Sequence, residues 1–142
     1  MSVVVDASVA AKWLLREPDS DRALMLLAEW RNGHLEGFAP GILAAEVANS
    51  LWRRVIRGLL SADFAERLFA LFSRLEFPLL PVEDLVSAAL ELAVRYRHPV
   101  YDCLYVALAL ETRSEFVTAD MRLVRALGSA LPRVCLLHDW RS

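Results

Sequence analysis

The chain opens on a short apolar segment that limits the kind of sheet it can form. Val3, Val4 and Val5 are consecutive β-branched residues, and Asp6 follows them directly. An uninterrupted apolar run of this kind is typical of a strand buried on both faces, as in the middle of a parallel sheet. Asp6 then lies at the carboxyl end of the strand, where open α/β sheets bind ligands. Asp is also a favoured N-cap, so capping of the following helix is the alternative role.

Apolar periodicity predicts that strands alternate with one or two helices along the rest of the chain. Further strands are predicted at 37–40, 77–82, 115–118 and 134–137. This alternation is typical of a parallel sheet with helices on both faces, reached through right-handed crossovers. The length of 142 residues suits one such domain, 1–142. The predicted helices span 9–16, 20–31, 42–57, 61–75, 83–96, 100–112 and 120–127.

The composition narrows the class of protein and the kind of partner. Hydrophobic residues make up 56% of the chain and the mean hydropathy is +0.36, so we expect a partner to cover part of the surface. No apolar run approaches the roughly 20 residues that span a bilayer, and we therefore expect a cytoplasmic protein that does not enter a membrane. A net charge of -2 excludes a protein that coats nucleic acid by bulk charge. Any phosphate-rich partner must be held locally.

Three further acidic residues stand out by their positions. Asp120 follows the predicted strand 115–118, so we expect it in the same crevice as Asp6. Asp102 falls in the first turn of a helix, and Glu46 interrupts an apolar stretch in mid-helix, where a charge is rarely buried without a partner. The alternatives are an N-cap for Asp120, a helix-dipole contact for Asp102 and a surface-facing side chain for Glu46.

The predicted helix 42–57 carries four polar residues on one face, because they follow one another at offsets of three and four. The four residues are Glu46, Asn49, Arg53 and Arg57. In a functional interpretation, the carboxylate binds a metal, the amide follows it, and the two guanidinium groups bind a phosphate backbone. The alternative is a solvated helix face with weak ion pairs. Apolar rows through Leu43, Val47 and Leu51 and through Ala45, Ala48, Trp52 and Ile56 predict that this helix packs on two sides.

Four motifs, in this order along the chain, resemble those of the PIN domain family. The most specific is Tyr-Asp-x-x-Tyr-x-Ala-Leu-Ala at 101–109, followed closely by Phe-Val-Thr-Ala-Asp at 116–120. The segments 4–8 and 40–51, the second with Glu46 inside it, complete the set. The resemblance spans nearly the whole chain, and the length suits the small single-domain PIN nucleases called VapC toxins. One departure is that the chain carries little positive charge for a nuclease that must bind RNA.

The resemblance implies a fold, an activity and a set of partners. The fold is α/β, a three-layer α/β/α sandwich around a central, mainly parallel sheet. The activity is that of a Mg²⁺- or Mn²⁺-dependent endoribonuclease, and the partners are RNA, a small cognate antitoxin protein and a second copy of the chain in a homodimer. By the same resemblance, the hydroxyl of Ser8 or Thr118 supports the site. Its catalytic and metal-binding acids are Asp6, Glu46, Asp102 and Asp120.

Electrostatics independently favours a metal at such a cluster of acids. Two carboxylates ~4 Å apart repel by about 4 kcal/mol at an effective dielectric near 20, and a divalent cation removes that repulsion. Oxygen ligands favour Mg²⁺ or Mn²⁺ over zinc, and the chain's histidines and cysteines form no metal motif. A metal-held water is a suitable nucleophile for a phosphodiester, and Asp102 or Asp120 is favoured as the group that accepts its proton or holds it in place.

Other functional classes fit the sequence less well. A receiver-type phospho-acceptor needs a lysine from a late strand, whereas the only lysine of the chain is Lys12. A non-catalytic interaction module, in which the acids merely cap helices, has no reason to bind manganese tightly. A PIN-like nuclease outside toxin-antitoxin systems is the third alternative.

We also expect the chain to self-associate through the predicted helix 61–75. Phe69 is left outside the predicted core stripe of this helix and lies beside Ala65, while Leu59 and Leu60 add apolar area at its entrance. A patch of some hundreds of Å² on a soluble protein usually marks an interface. The alternative is that the helix bearing Trp30 covers the patch within one subunit. The predicted stripe consists of Phe64, Leu68, Leu71, Phe72 and Leu75.

Overall fold

One parallel sheet organises the described part of the chain, which in this computed structural model is residues 1–131 and 133–141. Its strands are β1 (Ser2–Val5), β2 (Glu36–Pro40), β3 (Leu79–Leu80), β4 (Glu115–Thr118) and β5 (Val134–Leu136), and their order across the sheet is β3-β2-β1-β4-β5. The helices are α1 (Ala7–Leu14), α2 (Ser20–Arg31), α3 (Leu43–Ile56), α4 (Ala62–Arg74), α5 (Val86–Tyr96), α6 (Val100–Thr112) and α7 (Met121–Leu127). Short 3₁₀ turns occupy Glu83–Leu85 and Leu137–Asp139.

Strand β1 lies at the centre of the sheet, as its run of valines predicts. Its three valines are fully buried, because β2 pairs with one edge of the strand and β4 with the other. Val4 is opposite Phe38 on β2 and Phe116 on β4. All the pairings are parallel, so the carboxyl ends of β1 and β4 meet at one edge of the sheet, and Asp6 and Thr118 lie there.

The helices form a layer on each face of the sheet. The chain moves outward from β1 to β3 and then crosses back to β4 and β5. Right-handed crossovers therefore place α1 to α4 on one face and α5 to α7 on the other. Helix α6 packs against β1, β2 and β4, and its residues 103–109 are all buried. The predicted three-layer α/β/α sandwich is confirmed.

Several element boundaries differ from the prediction. The predicted helix 83–96 begins at Val86, because Glu83–Leu85 form a 3₁₀ turn. Helix α1 begins at Ala7 rather than at residue 9, because Asp6 caps it. The predicted strand 77–82 is reduced to Leu79–Leu80. Pro78 and Pro81 flank this pair, and proline cannot donate a ladder hydrogen bond, which restricts it to edge positions such as that of β3.

The predicted core stripe of α4 is correct at Leu68, Phe72 and the half-buried Leu75 and wrong at Phe64 and Leu71. Phe64 is 48% exposed and Leu71 is 51% exposed, whereas Ala65, Leu68 and Phe72 face the core. Phe69 is not left over, since it is half-buried and its ring centroid lies 5.8 Å from that of Phe72. Two overlapping apolar stripes at offsets of three and four run along this helix, and the packing of α3 against it decides which one is buried.

The outer apolar row of α3 is also misassigned by the sequence pattern. Trp52 is 56% exposed and Ile56 is 67% exposed, so α3 packs chiefly through the row of Leu43, Val47 and Leu51. The ring of Trp30, considered above as a cover for the patch on helix 61–75, packs on Phe77 with the centroids 4.9 Å apart. Despite the apolar surface, none of the helices within 1–131 and 133–141 combines the length and hydrophobicity needed to cross a membrane.

Candidate active site at the carboxyl ends of the central strands

Asp6 is buried at the end of β1 with both carboxylate oxygens hydrogen-bonded. Oδ1 accepts from the backbone N–H of Ala7 at 2.9 Å, and Oδ2 accepts from Ser8 Oγ at 2.7 Å and from Thr118 Oγ1 at 2.6 Å. Burial raises the pKa of Asp6, the two hydroxyl groups oppose that rise, and the charge of Asp102 adds to it. Asp6 therefore caps α1 and also places a buried carboxylate, whose charged form is disfavoured, at the carboxyl edge of the sheet.

The two hydroxyl groups that hold Asp6 also join the ends of β1 and β4. Ser8 Oγ accepts from the backbone N–H of Ala119 at 2.9 Å, and Thr118 Oγ1 accepts from the backbone N–H of Asp120 at 3.0 Å. Thr118 is fully buried. Each hydroxyl thus donates to Asp6 and accepts from the loop after β4, which fixes that loop relative to the carboxylate.

Asp120 occupies the corresponding position after β4 and caps α7. Its Oδ1 accepts from the backbone N–H of Arg122 at 2.9 Å and from that of Leu123 at 3.4 Å. Its own N–H reaches Thr118, so one hydroxyl separates Asp120 from Asp6. The N-cap role is present here as well, and it leaves Oδ2 of Asp120 available to a ligand at the same edge.

Glu46 projects from α3 towards α6 and is half-buried. Its Oε1 accepts from the hydroxyl of Tyr105 at 2.6 Å, and Tyr105 is itself fully buried. Burial raises the pKa of Glu46; the charges of Asp6 and Asp102 raise it further, while the Tyr105 hydroxyl and the Arg53 charge lower it. The side chain is directed at a buried partner and not at open solvent.

Asp102 lies in the first turn of α6 and is held by a histidine that the sequence analysis left without a role. His98 Nε2 is 2.8 Å from Asp102 Oδ2, and the His98 side chain is largely buried. Tyr105, which the motif at 101–109 contains but to which no role was assigned, lies three residues after Asp102 on α6. The available signal was spacing: an offset of three places Tyr105 on the side of α6 that bears Asp102, and His98 lies just before the helix begins.

The charge of Asp102 raises the pKa of Asp6, and the charges of Asp6 and Asp102 raise the pKa of Glu46, so these carboxylates lie in one electrostatic field. Such a field is relieved by a proton or by a cation, and the oxygen-rich donor set fits Mg²⁺ or Mn²⁺. Within residues 1–131 and 133–141, no group of three or more His, Cys, Asp or Glu side chains is arranged to hold a metal ion. An ion bound here would keep several of its own waters, as Mg²⁺ usually does.

A groove lined largely by polar residues, of about 480 Å³, leads away from these acids. We name it the basic trench. It begins at Ser8 and Ala119, next to Asp6, and extends to Arg57 and Leu59 at the end of α3. Arg53 and Arg57 line it, whereas Asn49 is exposed and does not. Its full lining is Ser8, Ala11, Lys12, Glu17, Ser50, Arg53, Arg54, Arg57, Leu59 and Ala119.

Comparison with known proteins gives consistent similarities over most of the chain. The family profile described as PIN domain matches residues 3–127. The chain is 34% identical over 127 residues to Ribonuclease VapC3 of Pyrobaculum aerophilum, an alignment that covers 87% of this chain and 92% of that protein. It is also 34% identical over 121 residues to Ribonuclease VapC9 of Mycobacterium tuberculosis H37Rv, covering 85% of this chain and 87% of the other.

A solved structure shares the fold. The crystal structure of PAE2754 from Pyrobaculum aerophilum superposes with a TM-score of 0.69, covering 94% of this chain and 88% of that one. The sequence identity is 19%, so this similarity concerns the arrangement of helices and strands alone.

Proposed function

The chain belongs to the PIN domain family, and from that membership we propose that it is an endoribonuclease that cleaves RNA phosphodiester bonds with Mg²⁺ or Mn²⁺. Its VapC relatives are named as ribonucleases, and they align over most of both chains. The observation that carries the proposal is the shared electrostatic field of Asp6, Glu46 and Asp102 at the carboxyl edge of the sheet.

Four carboxylates would hold the ion, and each has a defined support. Ser8 and Thr118 fix the orientation of Asp6, Tyr105 that of Glu46, and His98 that of Asp102. Such supporting hydrogen bonds position metal ligands and are worth about 10- to 100-fold in affinity or activity. The ligand set in this proposal is Asp6, Glu46, Asp102 and Asp120.

The chemistry divides between the ion and the side chains. When bound, the ion supplies an acidified water and neutralises charge on the phosphate oxygens. Asp102 or Asp120 accepts a proton at a carboxylate oxygen, because each has an oxygen that its described partners leave accessible. Arg53 and Arg57 in the basic trench bind the RNA backbone beyond the cleavage point. This local binding is compatible with the net charge of -2.

We further propose that the protein is the toxin of a toxin-antitoxin pair, acting on RNA in the cytoplasm as a homodimer. The similarity to VapC ribonucleases supports the antitoxin partner, and the exposed Trp52, Ile56, Phe64 and Leu71 supply apolar surface for association. Sedimentation at micromolar concentration should show a dimer; a monomer that persists with manganese would contradict this part. Growth arrest on expression, relieved by the product of the adjacent small open reading frame, is expected for a toxin. Cleavage without toxicity would indicate a PIN nuclease outside such pairs.

The central test is metal-dependent cleavage of RNA by the purified protein. Cleavage should require Mg²⁺ or Mn²⁺, stop with EDTA and be abolished by Glu46→Gln, because that change removes a ligand charge and keeps the size of the side chain. Glu91→Gln is the matched control, since Glu91 is exposed on α5. Equal cleavage by the parent and Glu46→Gln, or cleavage that persists in EDTA, would contradict the proposal.

A further inference from the structure

Three charged residues in the basic trench form a compact ion cluster that the metal site does not use. Lys12 Nζ donates to Glu17 Oε2 at 3.1 Å, and Arg54 pairs with the other oxygen, Oε1, of the same carboxylate. Lys12 is the only lysine of the chain, and its side chain is 12% exposed. One carboxylate is thus enclosed by two cations within a groove that opens beside Asp6.

The two cations are held in place by more than Glu17. Arg54 Nη1 donates to the backbone oxygen of Ser50 at 3.0 Å and to Ser50 Oγ at 2.8 Å. Lys12 is fixed by its position on α1, one turn after Ser8, whose hydroxyl holds Asp6. Arg54 therefore keeps its place in the trench if the Glu17 carboxylate moves away, and the backbone of α1 keeps Lys12 beside the trench.

Glu17 lies on the loop between α1 and α2, and its side chain is 23% exposed. Its backbone N–H is anchored to Ser20 Oγ at 2.9 Å, but its carboxylate contacts only the two cations among the described residues. The segment between α1 and α2 that carries Glu17 lies outside regular structure. A rotation of this side chain towards solvent would expose both cations without displacing a helix.

We propose that the Lys12–Arg54 pair is a phosphate site for the substrate strand, and that Glu17 occupies it in the free protein as a competing anion. A phosphate oxygen pair matches the charge and the bidentate geometry that a carboxylate presents to these groups. Lys12 lies one helical turn along α1 from Ser8, which holds Asp6, and the groove continues to Arg53 and Arg57. The inference rests on the proposed function, because it assigns a second phosphate of the same RNA to the trench.

The test uses a probe that the protein cannot cleave. A fluorescein-labelled single-stranded DNA of twelve thymidines, in EDTA, carries the same phosphates and needs no metal. Fluorescence anisotropy gives its affinity at several salt concentrations, and each phosphate contact adds about 0.7 to the slope of log K against log salt for a single strand. Cleavage of RNA with Mg²⁺ is measured separately on the same preparations.

Two variants should shift the DNA affinity and its salt dependence in opposite directions. Lys12→Met should weaken DNA binding roughly fivefold at low salt and reduce the slope by about 0.7, because one cation is lost. Glu17→Gln should strengthen binding roughly fivefold and increase the slope, because two cations are freed from competition. The matched controls are Arg141→Met and Glu29→Gln, whose ion pair of 2.7 Å lies outside the trench; neither should change the slope relative to the parent.

The outcomes separate this inference from the ribonuclease proposal. Parent-like slopes for Lys12→Met and Glu17→Gln, or weaker binding by Glu17→Gln, would overturn the phosphate site even if the parent cleaves RNA. No measurable DNA binding at low salt would also overturn it. Opposite shifts in a protein that does not cleave RNA would support the phosphate site and contradict the nuclease. Lys12→Arg, which keeps the charge, should bind like the parent and guards against loss of folding in Lys12→Met.

Discussion

Asp6 and Asp120 have the same position in the fold and different surroundings. Each follows a strand of the parallel sheet, and each accepts a backbone hydrogen bond as the N-cap of the next helix. Asp6 is 6% exposed and receives two further hydroxyl hydrogen bonds, whereas Asp120 is half-buried and is bound by backbone N–H groups alone. The sequence signal is the same in both cases, and the neighbours make the difference.

The cause lies in the distance of each residue from the end of its strand. Asp6 directly follows β1, and the hydroxyl groups of Ser8 and of Thr118 at the end of β4 enclose it. Asp120 lies two residues beyond the end of β4, and Thr118 stands between it and Asp6. We infer that Asp6 is the fixed ligand of the site, whereas Asp120 adapts to what is bound.

The largest expected effect is on cleavage by the two asparagine variants. Asp6→Asn should lower the cleavage rate at least ~1000-fold, because it removes the charge of the fixed ligand; Asp120→Asn should cost about 10- to 100-fold, comparable to the loss of a supporting group. Single-turnover cleavage at saturating Mg²⁺ measures both rates. Asp63→Asn, on the exposed start of α4, is the control. Equal losses for Asp6 and Asp120 would remove the proposed distinction.

The next effect concerns the hydroxyl groups that make Asp6 different. Thr118→Val removes the 2.6 Å hydrogen bond to Asp6 and keeps the shape of the side chain. We expect the Mg²⁺ concentration for half-maximal thermal stabilisation to rise about 10- to 100-fold. Thr112→Val is the matched control, because the Thr112 hydroxyl donates to Leu108 within α6. A parent-like metal titration for Thr118→Val would show that the hydroxyl does not orient a ligand.

The central strand and the positions of the acids could be predicted from sequence because they depend on local signals. A valine run followed by Asp6, and a strand followed by Asp120, place both residues at one edge of any parallel sheet. Helix 100–112 was likewise recognisable from its proline start and apolar length. These features require no knowledge of which helix packs against which.

The contacts between distant elements could not be predicted in this way. The burial of Ala65 in place of Phe64 depends on the approach of α3 to α4, and both apolar stripes of α4 read equally well. The ion pairs of Glu17 with Lys12 and Arg54 join a loop to α1 and α3. The sequence separations between these residues match neither the helical nor the strand period. Tertiary packing decides such pairs.

The hydroxyl of Tyr105 supports Glu46 as Thr118 supports Asp6, but with one hydrogen bond. Tyr105→Phe should lower cleavage about tenfold, and it should shift the acidic limb of the pH–rate profile upward, because the Tyr105 hydrogen bond opposes the raised pKa of Glu46. The cleavage rate is measured from pH 5 to 8. Tyr96→Phe, on α5, is the control. A lower rate with an unshifted profile would assign Tyr105 a role in packing alone.

The smallest expected effect is on stability without metal. Burial raises the pKa of Asp6 above its ordinary value of 3.8 in the folded protein. Between the unfolded and folded pKa the native state binds more protons, so this group's contribution to the free energy of unfolding falls as pH rises. The metal-free parent should therefore lose stability relative to Asp6→Asn as the pH rises above the ordinary pKa of 3.8, by about 1.4 kcal/mol for each unit of the shift.

Urea unfolding in EDTA at several pH values measures this difference. Glu29 has a lowered pKa, chiefly through its hydrogen bond from Arg141, and acts in the opposite direction, but it is present in both proteins and cancels in the comparison. The stability of Asp120→Asn should follow that of the parent more closely than the stability of Asp6→Asn does, because the Asp120 carboxylate is more accessible. Because Mg²⁺ neutralises the same charge, adding it should restore the parent at high pH and leave Asp6→Asn nearly unchanged. If the free energy of unfolding of the parent changed with pH in parallel with that of Asp6→Asn, the charge of Asp6 would not destabilise the fold and a cation would have no repulsion to relieve there.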